Sequence, residues 1–209
     1  MNFKVKDHYY KKAKEESYLA RSIYKLDEIN VKYAIIKTND FVIDFGYYPG
    51  SWVQYCAKIV GDEGMIVGVD IQEINTKLKN LQNVLLLKKD IDQLNTIADL
   101  CTENTKININ CANKFDVVLS DMAPKTTGIK MVDQENSLNL VRKVFDLLPI
   151  FLKVKGNIAI KIFEGGDGQN FLKEQKCKFE DFNYLRPKST RSCSKEIFAI
   201  GKGYKGSKV

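Results

Sequence analysis

Phe41 to Trp52, F-V-I-D-F-G-Y-Y-P-G-S-W, constrains the fold of this chain more than any other stretch. A short apolar run ends in Asp44. Gly46, Pro49 and Gly50 follow, and an apolar-periodic segment begins at Trp52. Strand, glycine-containing turn and helix in that order open an α/β nucleotide-binding unit. Ligands of open α/β sheets sit beyond the carboxyl ends of the strands, so Asp44 to Gly50 should face one. The rest of the chain continues the alternation. Further strands are predicted at 65–69, 84–87, 115–119, 156–163, 179–184 and 196–200. Helices are predicted at 52–60, 91–102 and 133–153 and from residue 169, with Pro149 kinking or shortening the third. Residues 8–30 read as helix with a break near Ser17. The pattern predicts one doubly wound α/β domain over residues 1–209, with the basic helical segment 1–32 packed on it. Asparagine-rich residues 103–114 read as a surface insertion.

Composition narrows the chemistry. No apolar run approaches the roughly 20 residues that cross a bilayer, so no membrane role is expected. M-N-F-K-V-K-D-H lacks a signal-peptide core, which makes an intracellular, cytoplasmic location the expectation, with nucleolus or organelle left open. The 5 cysteines form no C-x-x-C pair, so free thiols are expected and no metal site is predicted. The single histidine, His8, makes serine–histidine hydrolysis and histidine-rich metal catalysis poor readings. The formal charge is +7, but residues 1–25 carry +4, residues 185–209 carry +6 and the middle −3. Basic ends around a mildly acidic centre suit a polyanion where the ends converge; solvated termini are the bland alternative.

Asp44, Asp70, Asp90 and Asp121 fall at the carboxyl ends of consecutive predicted strands. Any one of them could simply cap the helix that follows. Four in register on the ligand edge are harder to dismiss. An acid ending the second strand suits a ribose diol, because a carboxylate accepts from both hydroxyls. A dinucleotide also needs a pyrophosphate cradle, G-x-G-x-x-G. The turn here is G-Y-Y-P-G: Pro49 removes a backbone donor and Tyr47 and Tyr48 are bulky. It fits a nucleoside without phosphate and with a cationic sulfur, which is S-adenosylmethionine. Gly46, Pro49, Ile71 and Ile91 belong to the same expected pocket.

Lys161 lies in an otherwise apolar strand, G-N-I-A-I-K-I-F, where an unpaired ammonium is costly. Near a strand end it should point into a site. Lys25 in Y-K-L-D-E-I and Glu196 in S-K-E-I-F-A-I are, taken singly, ordinary helix-surface and edge-strand charges.

Together with D-F-G-Y-Y-P-G-S-W, S-D-M-A-P (120–124), K-I-F-E-G (161–165) and R-P-K-S-T-R-S-C-S-K-E (186–196), these segments resemble the FtsJ/RrmJ-type RNA ribose 2′-O-methyltransferases, in the family's order and over nearly the whole chain. The resemblance implies a Rossmann-like methyltransferase fold with a seven-stranded, mostly parallel sheet and an antiparallel last strand. It implies a catalytic tetrad at Lys25, Asp121, Lys161 and Glu196, and S-adenosylmethionine contacts at Gly50, Trp52, Asp70, Asp90 and Asp121. Lys161 would be the base for the 2′-hydroxyl, which requires a depressed pKa, with Asp121 positioning it. Lys11, Lys12, Lys14, Arg21, Arg186, Lys188, Arg191 and Lys195 would hold RNA phosphates beside it. Tyr47 and Tyr48 depart from the family, whose members carry small residues there.

The implied substrate is a uridine of large-subunit ribosomal RNA, as free RNA or in a ribosomal particle, acted on by a monomer. Transfer-RNA anticodon-loop ribose, an inert RNA-binding assembly factor and a nicotinamide oxidoreductase are the alternatives, the last disfavoured by the Pro49 turn.

Overall fold

The computed structural model describes residues 8–101 and 114–206. Residues 103–113 of the expected insertion therefore lie outside the described residues. Seven strands form one sheet in the order β3-β2-β1-β4-β5-β7-β6. They are β1 (Phe41–Phe45), β2 (Met65–Asp70), β3 (Val84–Lys88), β4 (Phe115–Ser120), β5 (Leu152–Phe163), β6 (Phe179–Leu185) and β7 (Glu196–Tyr204). β1 pairs in parallel with β2 and with β4, whereas β7 is antiparallel to both β5 and β6. The strand order reverses direction between β1 and β4, and such a switch point leaves a crevice above the carboxyl ends of the two strands.

Helices α1 (His8–Glu15), α2 (Ile23–Tyr33), α3 (Ser51–Val60), α4 (Lys130–Phe151) and α5 (Gly166–Gln175) flank the sheet. Period-two alternation splits each central strand between two cores. Val42, Val117, Leu119 and Ala159 pack with Leu26, Ile29, Val53 and Cys56 of α2 and α3. Ile43, Phe45, Val118 and Ile160 pack with Leu138, Val141, Phe145 and Leu148 of α4. No helix among the described residues is long and apolar enough to cross a membrane.

Two expectations need correction. Residues 91–101 are not an α-helix: two 3₁₀ turns, Ile91–Gln93 and Ile97–Leu100, stand there. Asp90 accepts from the Asp92 N–H at 3.0 Å, and Asp99 from Asn95 and Thr96 at 2.7 and 2.8 Å. Such local side-chain bonds compete with the helical ladder. Pro149 sits in the last turn of α4, which ends at Phe151 and runs directly into β5. Finally, Cys56, Cys177 and Cys193 are free thiols but Cys101 is disulfide-bonded. Lack of a C-x-x-C pair excludes a tight bridge, not one closed by a longer loop. The expected break near Ser17 is present, with Ser17 at φ 62° between α1 and α2.

Candidate active site

The crevice at the switch point is a cleft of about 640 Å³ lined by Gly46, Tyr48, Asp70, Ile71, Asp90, Ile91, Asp121, Met122 and neighbours, the size of a nucleoside-binding pocket. Its acids outnumber its cations: Asp70, Asp90, Asp92 and Asp121 face Lys89 and Lys143, and Lys143 is bound to Asp92 at 2.5 Å. Asp70 is held by backbone donors on both sides, Tyr48 N to Oδ2 and Gln72 N to Oδ1, each at 2.9 Å. The carboxylate is thereby fixed in orientation while keeping lone pairs for a further donor. Asp90 caps the 3₁₀ turn after β3 and is exposed at the cleft rim.

The turn after β1 is shaped by its neighbours. Gly46 has φ 78°, and a Cβ there would lie 2.2 Å from Cγ of Met122. Only glycine allows that approach between the first and fourth strand ends. Pro49 accepts from Asn75 Nδ2 at 2.8 Å, which ties the turn to the loop after β2. Tyr47, unexplained by sequence, is buried in the α3-side core, and its ring lies where a Cβ on Gly68 of β2 would stand. Tyr48 is the half-exposed tyrosine that lines the cleft. Gly50 is buried and caps α3 with φ 109°. The Trp52 side chain does not line the cleft. Its indole is 2% exposed, donates to the Ser22 carbonyl at 2.8 Å and packs on Phe198.

Next to the cleft, four charged side chains from α2, β5, β7 and the end of β4 meet. Lys161 Nζ lies 2.9 Å from Asp121 Oδ1 and donates to the Asp121 carbonyl at 2.6 Å. Lys25 Nζ lies 2.5 Å from Glu196 Oε1 and 4.0 Å from Asp121 Oδ1. Lys161 and Glu196 are each 7% exposed, and Lys25 stands over the Phe198 ring at 5.8 Å. The register explains the convergence. Lys161 pairs with Phe198 and Phe163 with Glu196, so both charged side chains project to the α2 side of adjacent antiparallel strands. Residues far apart in sequence thus form one alternating chain of charge, Lys161–Asp121–Lys25–Glu196.

A family model described as FtsJ-like methyltransferase matches residues 18–204. This chain belongs to the FtsJ-like methyltransferase family. The chain is 40% identical over 201 residues to the ribosomal RNA large subunit methyltransferase E of Bdellovibrio bacteriovorus, covering 96% of this chain and 98% of that protein. It is likewise 40% identical to the protein of the same name from Brachyspira hyodysenteriae, covering 97% of each. A crystal structure of a Plasmodium falciparum protein described as a ribosomal RNA methyltransferase matches with TM-score 0.74 at 26% identity, over 91% of this chain and all of that one. The Methanococcus jannaschii fibrillarin pre-rRNA processing protein shares the fold, with TM-score 0.58 at 16% identity over 83% of this chain and 70% of that one.

Within this FtsJ-like methyltransferase, Asp44 is the strand-end acid that stands apart. It is 1% exposed, neither carboxylate oxygen has a partner among the described residues, and it does not line the cleft. Burial first, then repulsion from Asp121 and Asp70, pushes its carboxyl well above the usual range. Below about pH 4 folded and unfolded chains both hold this proton; above it only the unfolded chain releases it. Asp44 therefore lowers stability as pH rises. Asp44→Asn should match the wild type in thermal unfolding of the ligand-free protein near pH 4. It should become relatively more stable with increasing pH, by up to about 1.4 kcal/mol per unit. A constant difference across pH would show that Asp44 is ionised in the fold.

The basic residues divide. Arg21 donates to the Ser189 carbonyl, and the Lys188 N–H donates to Glu28 at 2.7 Å. These contacts bring the helical N-terminal segment and the β6–β7 loop together beside the tetrad, which joins the two basic ends. Burial, then the nearby Arg191, lowers the Arg21 pKa. Arg21 thus acts as a half-buried tie between elements. Lys12 is shared between Glu16 at 3.8 Å and the Tyr24 ring. Lys11, Lys14, Arg186, Lys188, Arg191 and Lys195 are exposed. Sequence reasoning missed Met122, which covers Gly46, and Ser22, whose hydroxyl is 2.9 Å from that of Ser51. It also missed Asp133, whose carboxylate accepts from the Thr127 and Gly128 N–H groups and is held below its usual range by them. Those bonds tie Thr127 and Gly128 to the first turn of α4. An acid in a first helical turn was the available signal, and it gave no hint of its partners.

Proposed function

We propose that this protein transfers the methyl group of S-adenosylmethionine to a ribose 2′-hydroxyl of large-subunit ribosomal RNA. The observation that carries the reading is the Lys161–Asp121–Lys25–Glu196 network at the mouth of an acidic, nucleoside-sized cleft. Asp70, oriented by Tyr48 and Gln72, would accept from the ribose hydroxyls of the cofactor, and Asp90 would stand at the cleft rim. The donor, when bound, supplies an electrophilic methyl on a sulfonium, whose charge the acidic lining favours.

The 2′-hydroxyl is a weak acid and gains nucleophilicity as its proton leaves. Lys161, an ammonium when paired with Asp121, would first release a proton to solvent and then take the hydroxyl proton at Nζ as the new O–CH₃ bond forms and the S–CH₃ bond breaks. Asp121 holds Nζ in place through its carboxylate and its carbonyl. Lys25, fixed by Glu196, presents donors to the same hydroxyl. Because the reaction removes the sulfonium charge, alignment of donor and acceptor contributes more than stabilisation of new charge. Transfer of labelled methyl to large-subunit ribosomal RNA, as free RNA or in the isolated subunit, tests the reading. Mapping the lost 2′-O-methyl group in cells without the protein identifies the nucleotide. No transfer to either form would overturn it.

The exposed cations beside the tetrad would hold phosphates, so affinity for RNA should fall steeply with salt. With six to ten contacts the loss is about 10³–10⁵ between 50 and 200 mM salt. A flat salt response would remove the basic edge from the binding surface.

A further inference from the structure

A second pocket lies beyond the tetrad, on the same carboxyl edge of the sheet. It has a volume of about 740 Å³ and is lined by Lys130, Gln134, Gln169, Arg186 and Lys195, with Gly165–Gly166 among its walls. Lys195 immediately precedes Glu196, and Glu164 follows Lys161 by three residues, roughly 10 Å at the rise of a strand. The pocket therefore stands beside the hydroxyl site, within the span of a neighbouring nucleotide and its phosphate. The two strands are locked there, because Glu164 N donates to the Lys195 carbonyl at 2.7 Å.

The walls suit a phosphodiester and its nucleoside. Lys130, Arg186 and Lys195 give three cations against the single carboxylate of Glu164. Arg186 is pinned by a bond from Nη2 to the Ser194 carbonyl, which fixes its guanidinium plane and leaves its other donors to a ligand. The Gln134 amide is fixed by donating to the Glu164 carbonyl. A Cβ on Gly166 would meet nothing within 4 Å, so the backbone is open on that side. Neither the methyl donor's cleft nor the tetrad uses Lys130, Gln134 or Gln169.

We propose that this pocket is a nucleotide subsite that grips the phosphodiester next to the methylated nucleoside and so sets the target ribose against Lys161. The inference rests on the reading of the substrate as RNA. Lys130 supplies the discriminating contact, since it comes from α4 and lies in none of the segments that carry the family resemblance.

The test is a double-mutant cycle. Binding of a short RNA containing a central uridine is measured in the presence of S-adenosylhomocysteine. In a series of these RNAs, one phosphodiester at a time is replaced by an uncharged methylphosphonate. For the wild type, replacement at one step beside the uridine should weaken binding about tenfold, as loss of one charge-assisted contact predicts. In Lys130→Ala/Lys195→Ala that same replacement should cost less than twofold, while replacements elsewhere keep their cost. Equal cost in wild type and variant at every step would overturn the subsite while leaving RNA as the substrate. Failure of the wild type to bind any of these RNAs would overturn the subsite as a grip on RNA alone, whereas the RNA reading itself falls only if no methyl is transferred to ribosomal RNA, free or in the subunit. Wild-type thermal stability of the double variant, whose two lysines are exposed, checks that the fold is intact.

Discussion

Lys161→Ala is expected to reduce methyl transfer to RNA by about 10²–10⁴-fold, the usual contribution of a general base, while binding of S-adenosylmethionine stays within a few-fold of wild type. The reason is geometric. Lys161 sits beside the cleft and not among its lining residues, and its contacts are to Asp121. Removing it also strips Asp121 of its nearest cation, leaving Lys25 at 4.0 Å. Some loss of stability should therefore accompany the loss of rate, and single-turnover measurements on protein shown to be folded separate the two. Lys161→Met, which keeps the apolar stem in the strand but not the cation beside Asp121, should recover only the packing part of the stability and none of the rate. Unchanged turnover in either variant would remove Lys161 from the base role. Intact stability in Lys161→Ala with lost cofactor binding would move it into the cofactor site.

Asp70→Ala should weaken the cofactor about 10- to 100-fold and RNA binding less than twofold. Hydrogen bonds to a charged acceptor are worth about 1.5–3 kcal/mol, and each 1.4 kcal/mol is a factor of ten in affinity. The carboxylate has a second task here, because it accepts from Tyr48 N and so fixes the turn that forms the cleft wall. Asp70→Asn keeps one acceptor oxygen and should fall between wild type and alanine. Calorimetric titration with the cofactor, and with RNA separately, distinguishes the two sites. Equal losses for both ligands would mean that Asp70 supports the whole edge rather than the ribose.

How far the site was legible in sequence differs from residue to residue. Asp70 and Asp121 were visible because a strand end is readable from an apolar run, and the ligand edge of such a sheet follows from topology. Lys161 was visible because an ammonium in an apolar strand demands a partner. Lys25 and Glu196 carried no such signal. Each is an ordinary charge in its own element, and only the family resemblance singled them out. Asp44 was grouped with the cofactor residues as a strand-end acid, and Trp52 through the family resemblance. The side chain of each is buried on the α3 side of the sheet, since strand alternation and helix rotation, not sequence proximity, decide which face a residue shows. The helix predicted at 91–102 gave way to 3₁₀ turns, because short polar side chains took the backbone donors that a helix would have used.

By itself the sequence determined the alternating α/β order, the glycine turn after the first strand and the family to which the chain belongs. These rest on local periodicity, on backbone angles that few residues adopt, and on linear motifs. The tertiary structure alone decided that β7 inserts between β5 and β6, in the register that sets Glu196 beside Lys161. It also decided that Tyr47 fills the space over Gly68, that the two basic ends are tied through Arg21 and Glu28, and that Lys130 reaches the edge where Lys195 stands. The physical reason is common to all four. Each joins residues far apart in the chain, and strand pairing and side-chain packing, which no local stretch encodes, choose the partner.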